Sequence, residues 1–255
     1  MKCLIVGSSG SIGNYLKNYF SYVKGFKVVT LDREKNKRET KKSFYCNLNS
    51  NVELKKKINK IFNLYGYIDL FISCIGHEGS ITKKITDIKI KSWKKNFNVN
   101  LFSNVMIISN ILPIIRSGSL IFFSGGGTTT YPHGIKKNLI EYSCSKIALI
   151  KFVEIISAHL SKNKINANIL APGPIKSKML KNIYIKGKNF LGSDRKEIYK
   201  ILNSKNNLSH ISNSIEFLIQ NKQISGKIIS TKHDNLKKIL MKNNNKDYFT
   251  IRIKK

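Results

Sequence analysis

Short apolar runs alternate with amphipathic stretches along almost the whole chain, and this alternation leaves few folds open. The apolar runs fall at residues 2–6, 27–31, 43–46, 68–75, 120–123, 166–170 and 227–231. Each has the length of a buried strand. Between them, 12–23, 52–64, 87–112, 138–161 and 209–219 carry helical periodicity. In 52–64 the apolar residues sit at 52, 54, 58, 61, 62 and 64, with lysines on the opposite face. Strands separated by helices require crossovers, which give a parallel sheet covered on both faces. The expectation is a doubly wound α/β domain over residues 1–234, with a parallel seven-stranded sheet and helices on both faces. A basic extension, 235–255, follows it.

The chain carries 46 Lys plus Arg against 14 Asp plus Glu, a formal charge of +32. Such a charge draws polyanions by counterion release. Its texture argues against a dedicated role: the lysines are spread over most of the helical stretches, and arginine, the residue suited to bidentate phosphate and base contacts, is scarce. No specific nucleic-acid partner is expected. No apolar run reaches the ~18 residues of a membrane span, and the N-terminus shows no signal-peptide pattern, so the expected place is the cytoplasm. Cys3, Cys46, Cys74 and Cys144 are far apart, and the histidines lack metal-ligand spacing. Buried thiols in a reducing compartment, and no metal, are the expectation.

Gly7-Ser-Ser9-Gly10-Ser-Ile12-Gly13 follows the first strand and opens the first helix. The first glycine permits a tight turn, the second lets backbone approach a pyrophosphate, and the third lets helix and sheet pack closely. The amides of the helix start then face the phosphates. Asp32 ends the second strand, where a carboxylate can accept hydrogen bonds from the adenosine ribose and repel a 2′-phosphate. That favours NAD, whereas the neighbouring Arg33 could neutralise such a phosphate and admit NADP.

Tyr142-Ser-Cys-Ser-Lys146 puts a phenol and an ammonium one helical turn apart. A free phenol titrates near ~10, too high for efficient proton exchange at neutral pH, and a nearby ammonium is expected to lower that value. The same spacing recurs at Tyr184 and Lys188, across Gly187 in what reads as a loop, and is taken as coincidence. Tyr142 differs because it opens a long helix behind a strand that ends in Ser124-Gly-Gly-Gly127.

Together these residues resemble the short-chain dehydrogenase/reductase family, over residues 2 to about 231. Asn47-Leu48 resembles the Asp-Leu pair that contacts adenine. Ser73-Cys74-Ile75-Gly76 stands where the family has Asn-Asn-Ala-Gly. Trp93 with Asn98-Val-Asn100-Leu101 is similar to the helix bearing a catalytic Asn, which maps to Asn100. Pro172-Gly173, with Ile175 and Ser177, resembles the loop that meets the nicotinamide carboxamide. Two departures stand out. The glycine spacing is that of the family's longer, sugar-nucleotide-type members. The family's second serine of a Ser-Ser pair falls on Gly125, so the resemblance leaves Ser124 or Thr128 to supply the hydroxyl.

The resemblance implies a Rossmann-type domain and an NAD(P)-dependent oxidoreductase that interconverts a carbonyl and a secondary alcohol by hydride transfer. Tyr142 would be the general acid/base. Lys146 would lower its pKa and hold the nicotinamide ribose, and Asn100 would hold a relay water. The substrate would be a small molecule, either a sugar or sugar nucleotide or an acyl intermediate, beneath a lid at about 176–205. The helices at 88–112 and 139–161 would form a homodimer or homotetramer contact. The alternative is a catalytically impaired dinucleotide-binding protein with a regulatory or scaffold role.

Overall fold

The computed structural model describes residues 1–33, 39–82, 84–125, 138–188, 191 and 194–241. Seven strands form one sheet: β1 (Lys2–Val6), β2 (Lys27–Arg33), β3 (Ser43–Cys46), β4 (Leu70–Ser73), β5 (Gly118–Phe123), β6 (Ile165–Ala171) and β7 (Ile228–Ser230). Their order is β3-β2-β1-β4-β5-β6-β7, and each neighbouring pair is parallel. The chain therefore winds outward from β1 in one direction and from β4 in the other. The carboxyl ends of β1 and β4 bound the crevice where such sheets take ligands.

Alternation within each strand builds two cores. Leu4 and Val6 of β1, with Val29, Leu31, Phe71, Leu120 and Phe122, face α2 (Asn51–Tyr65), α4 (Ser103–Ile111) and α5 (Ile140–Leu160). Cys3 and Ile5, with Val28, Leu70, Ile72, Ile121 and Leu170, face α1 (Ser11–Asn18) and α8 (Ser209–Gln220). Successive side chains of a strand point to opposite faces, so a strand covered on both sides reads as an unbroken apolar run.

The segment read as one helix over 87–112 is α3 (Ile90–Phe97), a π-helical turn at Asn98–Phe102, and then α4. The span Ile90–Ile114 is long and apolar enough to cross a bilayer by length and composition. Its inward row is Asn96, Asn100 and Asn104, all buried and hydrogen-bonded inside the domain. A π-turn inserts an extra residue and re-aims the side chains of the next helical turns, and such turns gather at functional sites.

Three expectations change. The strand read over 68–75 ends at Ser73, whose hydroxyl turns inward to Asn104 Oδ1 at 2.5 Å. The stretch read as a loop around Gly187 is the end of a helix: the lid contains α6 (Lys178–Lys186) and α7 (Asp194–Asn203), so Tyr184 is helical and Gly187 is a helix C-cap. Its apolar spacing was masked by the lysines and asparagines interspersed along the segment. The extension also begins inside the fold, because α9 (Leu236–Met241) buries Ile239 completely against the α1/α8 core. A six-residue apolar face has too little length to reveal its periodicity.

Candidate active site

The glycine loop is shaped by backbone contact. Gly7 has φ +84°, and a side chain there would meet Cys74 backbone at 3.0 Å. A Cβ on Gly13 would lie 2.3 Å from Gly7 O, so α1 can sit against the loop only with glycine at that position. By contrast, a Cβ on Gly10 would touch nothing nearer than 3.6 Å. Its neighbourhood is open on the side a ligand would approach. The α1 N-terminus has no side-chain cap and no acidic residue in its first turn, which leaves its amides suited to an anion. Ser9 and Ile12 belong to this turn. The loop thus fits a nucleotide pyrophosphate.

Asp32 is buried at the end of β2, and its carboxylate is fixed by that same loop. Ser8 Oγ donates to Oδ2 at 2.6 Å and Ser9 N to Oδ1 at 3.3 Å. Arg33 beside it is exposed. Asn47 is exposed and shapes the turn before α2: its side chain accepts from Asn49 N, and its amide donates to Glu53 Oε2. Leu48 is buried in the α2-side core. On the other side of the crevice, Pro172 accepts a hydrogen bond from His210, and Gly173 takes φ +71°. Ile175 is buried, and Ser177 caps α6 by accepting from Leu180 N at 3.1 Å.

Tyr142 and Lys146 lie on the first turns of α5. Lys146 is 2% exposed, and its ammonium donates to Phe123 O at 2.9 Å and Ile75 O at 3.3 Å, across the ends of β5 and β4. Two of its three N–H groups are thereby used, which leaves one for a ligand. Burial pulls its pKa down to about 8, with Cys74 opposing weakly. It would still be mostly protonated at neutral pH.

The phenol does not behave as its spacing suggests. Burial, followed by the charge of Glu78, pushes Tyr142 up to about 12. Lys146 is committed to the two strand-end carbonyls, and desolvation outweighs any attraction between ammonium and phenolate. The tyrosine is therefore held protonated rather than activated.

Position 125 faces the phenol. A Cβ on Gly125 would stand 2.1 Å from Tyr142 Oη, so the tyrosine occupies the space that a side chain there would need. Ser124 is buried in the strand-end wall, its amide donating to Leu170 O at 2.9 Å. Thr128, the other candidate hydroxyl, lies outside the described residues, as do Gly126 and Gly127.

Asn100 is fully buried at the π-turn. Its Oδ1 accepts from His77 N at 2.8 Å, and its Nδ2 lies within hydrogen-bond distance of His77 O, Asn96 Oδ1 and Ser145 Oγ. Its side chain thus pins the loop behind β4, Cys74 and Gly76 included, to α3 and α5. Its carbonyl accepts from Asn104 Nδ2. Around this stands a polar cluster that sequence reasoning missed. Glu141, 1% exposed, accepts from Ser80 N and from Ser92 Oγ at 2.9 Å, and its Oε2 has no partner among the described residues. Gly79, at φ +72°, passes so close that a Cβ would meet Glu141 Cγ at 2.7 Å. Burial lowers the His77 pKa. One signal was legible: asparagines at 96, 100 and 104 share a helix face inside an apolar stretch.

These features frame a crevice, of a shape that fits a nucleotide, flanked by a Tyr/Lys pair on a parallel sheet. The profile of the short chain dehydrogenase family matches residues 2–187, and the chain belongs to that family. Its relatives include proteins named dehydrogenases and reductases. It is 26% identical over 164 residues to a glucose and ribitol dehydrogenase homologue of Arabidopsis thaliana, covering 61% of this chain and 55% of that protein. It is 32% identical over 108 residues to a benzil reductase of Saccharomyces cerevisiae, covering 41% and 40%. The chain thus spans about half the length of these two curated relatives. Among solved structures, the aldohexose dehydrogenase of Thermoplasma acidophilum shares the fold with a TM-score of 0.72 at 21% identity, covering 90% of this chain and 91% of that one. Members of the family bind nicotinamide nucleotides.

Proposed function

We propose that the chain interconverts a carbonyl and a secondary alcohol, with Tyr142 exchanging the proton at the substrate oxygen. The supporting observation is the position of the Tyr142/Lys146 pair, with the buried ammonium bridging Ile75 O and Phe123 O at the strand ends beside the glycine loop. The nicotinamide nucleotide supplies or accepts the hydride. Gly7, Gly10 and Gly13 give its phosphates backbone access, Asp32 orients the ribose end, and Lys146 has a donor left for the other ribose. Cys74, Gly76, Pro172, Gly173, Ile175 and Ser177 line the remaining wall. Asn100 holds that wall rigid, which preserves orientation through the reaction.

The fixed carboxylate of Asp32, clamped by Ser8 and Ser9, supports NAD over NADP because a 2′-phosphate would meet an immobile negative charge. Titration with NADH and NADPH tests this, and tighter NADPH binding would overturn it. Two curated relatives named for glucose and ribitol support a sugar or polyol substrate over an acyl one, which a panel of aldoses, polyols and oxoacyl thioesters decides. Tyr142→Phe is expected to abolish turnover while leaving nucleotide affinity nearly unchanged. Phe102, Ile147 and Ile155 expose apolar surface on neighbouring stretches of the 98–111 and 140–160 segments, which supports a homodimer or homotetramer through that face. All four cysteines are free, in keeping with a cytoplasmic setting.

A second reading is favoured by Gly125. With no hydroxyl at the position facing the phenol, and with Tyr142 near 12, the chain would bind the nucleotide but turn over poorly, as a regulatory or scaffold protein. Nucleotide binding without turnover on any substrate of the panel would favour this reading.

A further inference from the structure

The lid is fastened over the catalytic tyrosine by a buried carboxylate that stands outside the Tyr/Lys pair and the nucleotide cradle. Leu180 and Ile183 of α6 and Ile198 of α7 pack with Leu191, Leu139 and Tyr142 in a third apolar cluster. Met179 reaches over the crevice: a Cβ on Gly76 would meet its methyl at 3.3 Å and Lys146 Nζ at 3.8 Å. An apolar contact of this kind is non-directional and does not fix the register of a short helix. A polar tie supplies direction. Glu78, 7% exposed on the loop behind β4, accepts from Asn182 Nδ2 at 3.0 Å and pairs with Lys186 Nζ at 3.5 Å, both on α6. That loop is itself held through His77 by Asn100 and Asn96.

We propose that Glu78 is a positioning residue of the active site: its carboxylate ties α6 over Tyr142 through Asn182 and Lys186 and places a charge beside the phenol. The inference rests on the acid–base role of Tyr142 proposed above. A buried carboxylate beside a phenol penalises the phenolate, and a cation on the carboxylate's far side relieves part of that penalty. The charged and titratable groups around this pair are His77 and Glu141 on the same wall, Lys95 from α3, Lys146 from α5 and Lys186 from α6. Among them, Glu78 is the group whose charge acts on the phenol. Burial raises the Glu78 pKa, but hydrogen bonds from its own amide and Asn182, with the charges of His77 and Lys186, bring it below the usual carboxylate value. It is therefore ionised at neutral pH while it holds the helix.

The two partners act with opposite sign, and a merely structural tie would not. Glu78→Gln is isosteric and keeps an acceptor for Asn182, while Lys186 is more than half exposed, so Lys186→Gln leaves the core intact. Phenolate formation by Tyr142 is read as the ultraviolet difference between each protein and its Tyr142→Phe counterpart, without substrate. Glu78→Gln is expected to move this titration about one pH unit lower. Lys186→Gln is expected to move it upward by less. Hydrogen exchange across 178–186 is expected to quicken in both variants. An unmoved phenol in Glu78→Gln, or shifts of the same sign in the two variants, overturns the proposal. Activity of Tyr142→Phe separates the two ideas. Retained turnover sinks the acid–base role whatever the titration shows. Lost turnover with an unmoved phenol sinks only the role of Glu78.

Discussion

Lys146 gives the sharpest handle on the energetics of the site, because its burial imposes a pH signature on folding. The unfolded lysine titrates near 10.5 and the folded one near 8. Between those values the unfolded chain holds more protons, so stability must rise with pH across this window. The difference of about 2.5 units, at 1.36 kcal/mol each, corresponds to a cost of about 3 kcal/mol for burying the ammonium, fully present below pH 8 and relieved as pH approaches 10.5. Lys146→Met removes the titration. It also leaves Phe123 O and Ile75 O without their donor, a pH-independent loss of about 1–3 kcal/mol for each carbonyl. The absolute change is therefore a small difference of large terms, whereas its pH dependence is not. Urea unfolding of both proteins, at matched ionic strength and in pH steps from about 7 to about 11, yields that dependence. The stability of the wild type relative to Lys146→Met is expected to rise by about 3 kcal/mol over the window. Cys3, Cys74 and Tyr142, whose raised pKa values make stability fall at high pH, are present in both proteins and cancel to first order. A flat or falling difference would refute the claim that the ammonium is buried without a compensating charge.

Other expectations come from close contacts. Gly125→Ala would place a methyl 2.1 Å from Tyr142 Oη, forcing the ring back by about 1 Å, at about 1–3 kcal/mol of overpacking; a fall in melting temperature checks this. Gly13→Ala would set a methyl 2.3 Å from Gly7 O, and because backbone cannot yield as a side chain does, nucleotide binding measured by calorimetry is expected to disappear. Ile239→Ala, in the helix that begins the basic extension, is expected to cost about 2–5 kcal/mol in urea unfolding, and a change under about 0.5 kcal/mol would show that this helix lies outside the core.

The fold was legible in the sequence because its signals are local. A strand covered on both faces must be apolar along its length, and a helix between two such strands must carry an apolar stripe, so the existence and order of β1 through β7 and of the long helices could be read, though not every boundary. The glycine loop was equally legible. Gly7 and Gly13 are required by backbone contacts within a few residues and by the β4 end that a parallel partner must bring alongside. Tyr142 and Lys146 share a helix face by spacing alone.

The surroundings of these residues were not legible, because they come from distant segments. Whether a lysine lowers a tyrosine's pKa depends on what else the ammonium meets, and here strand ends from residues 75 and 123 claim it. Glu78 and Glu141 look like ordinary surface acids in a lysine-rich chain until α3, α5 and α6 close over them. The helices of the lid carry their apolar faces among interspersed lysines, and the helix of Ile239 beyond it is only six residues long, so neither shows a clear periodicity. Sequence determined which groups exist and which backbone they require. Tertiary packing alone decided which charges were stripped of water, and that sets their chemistry.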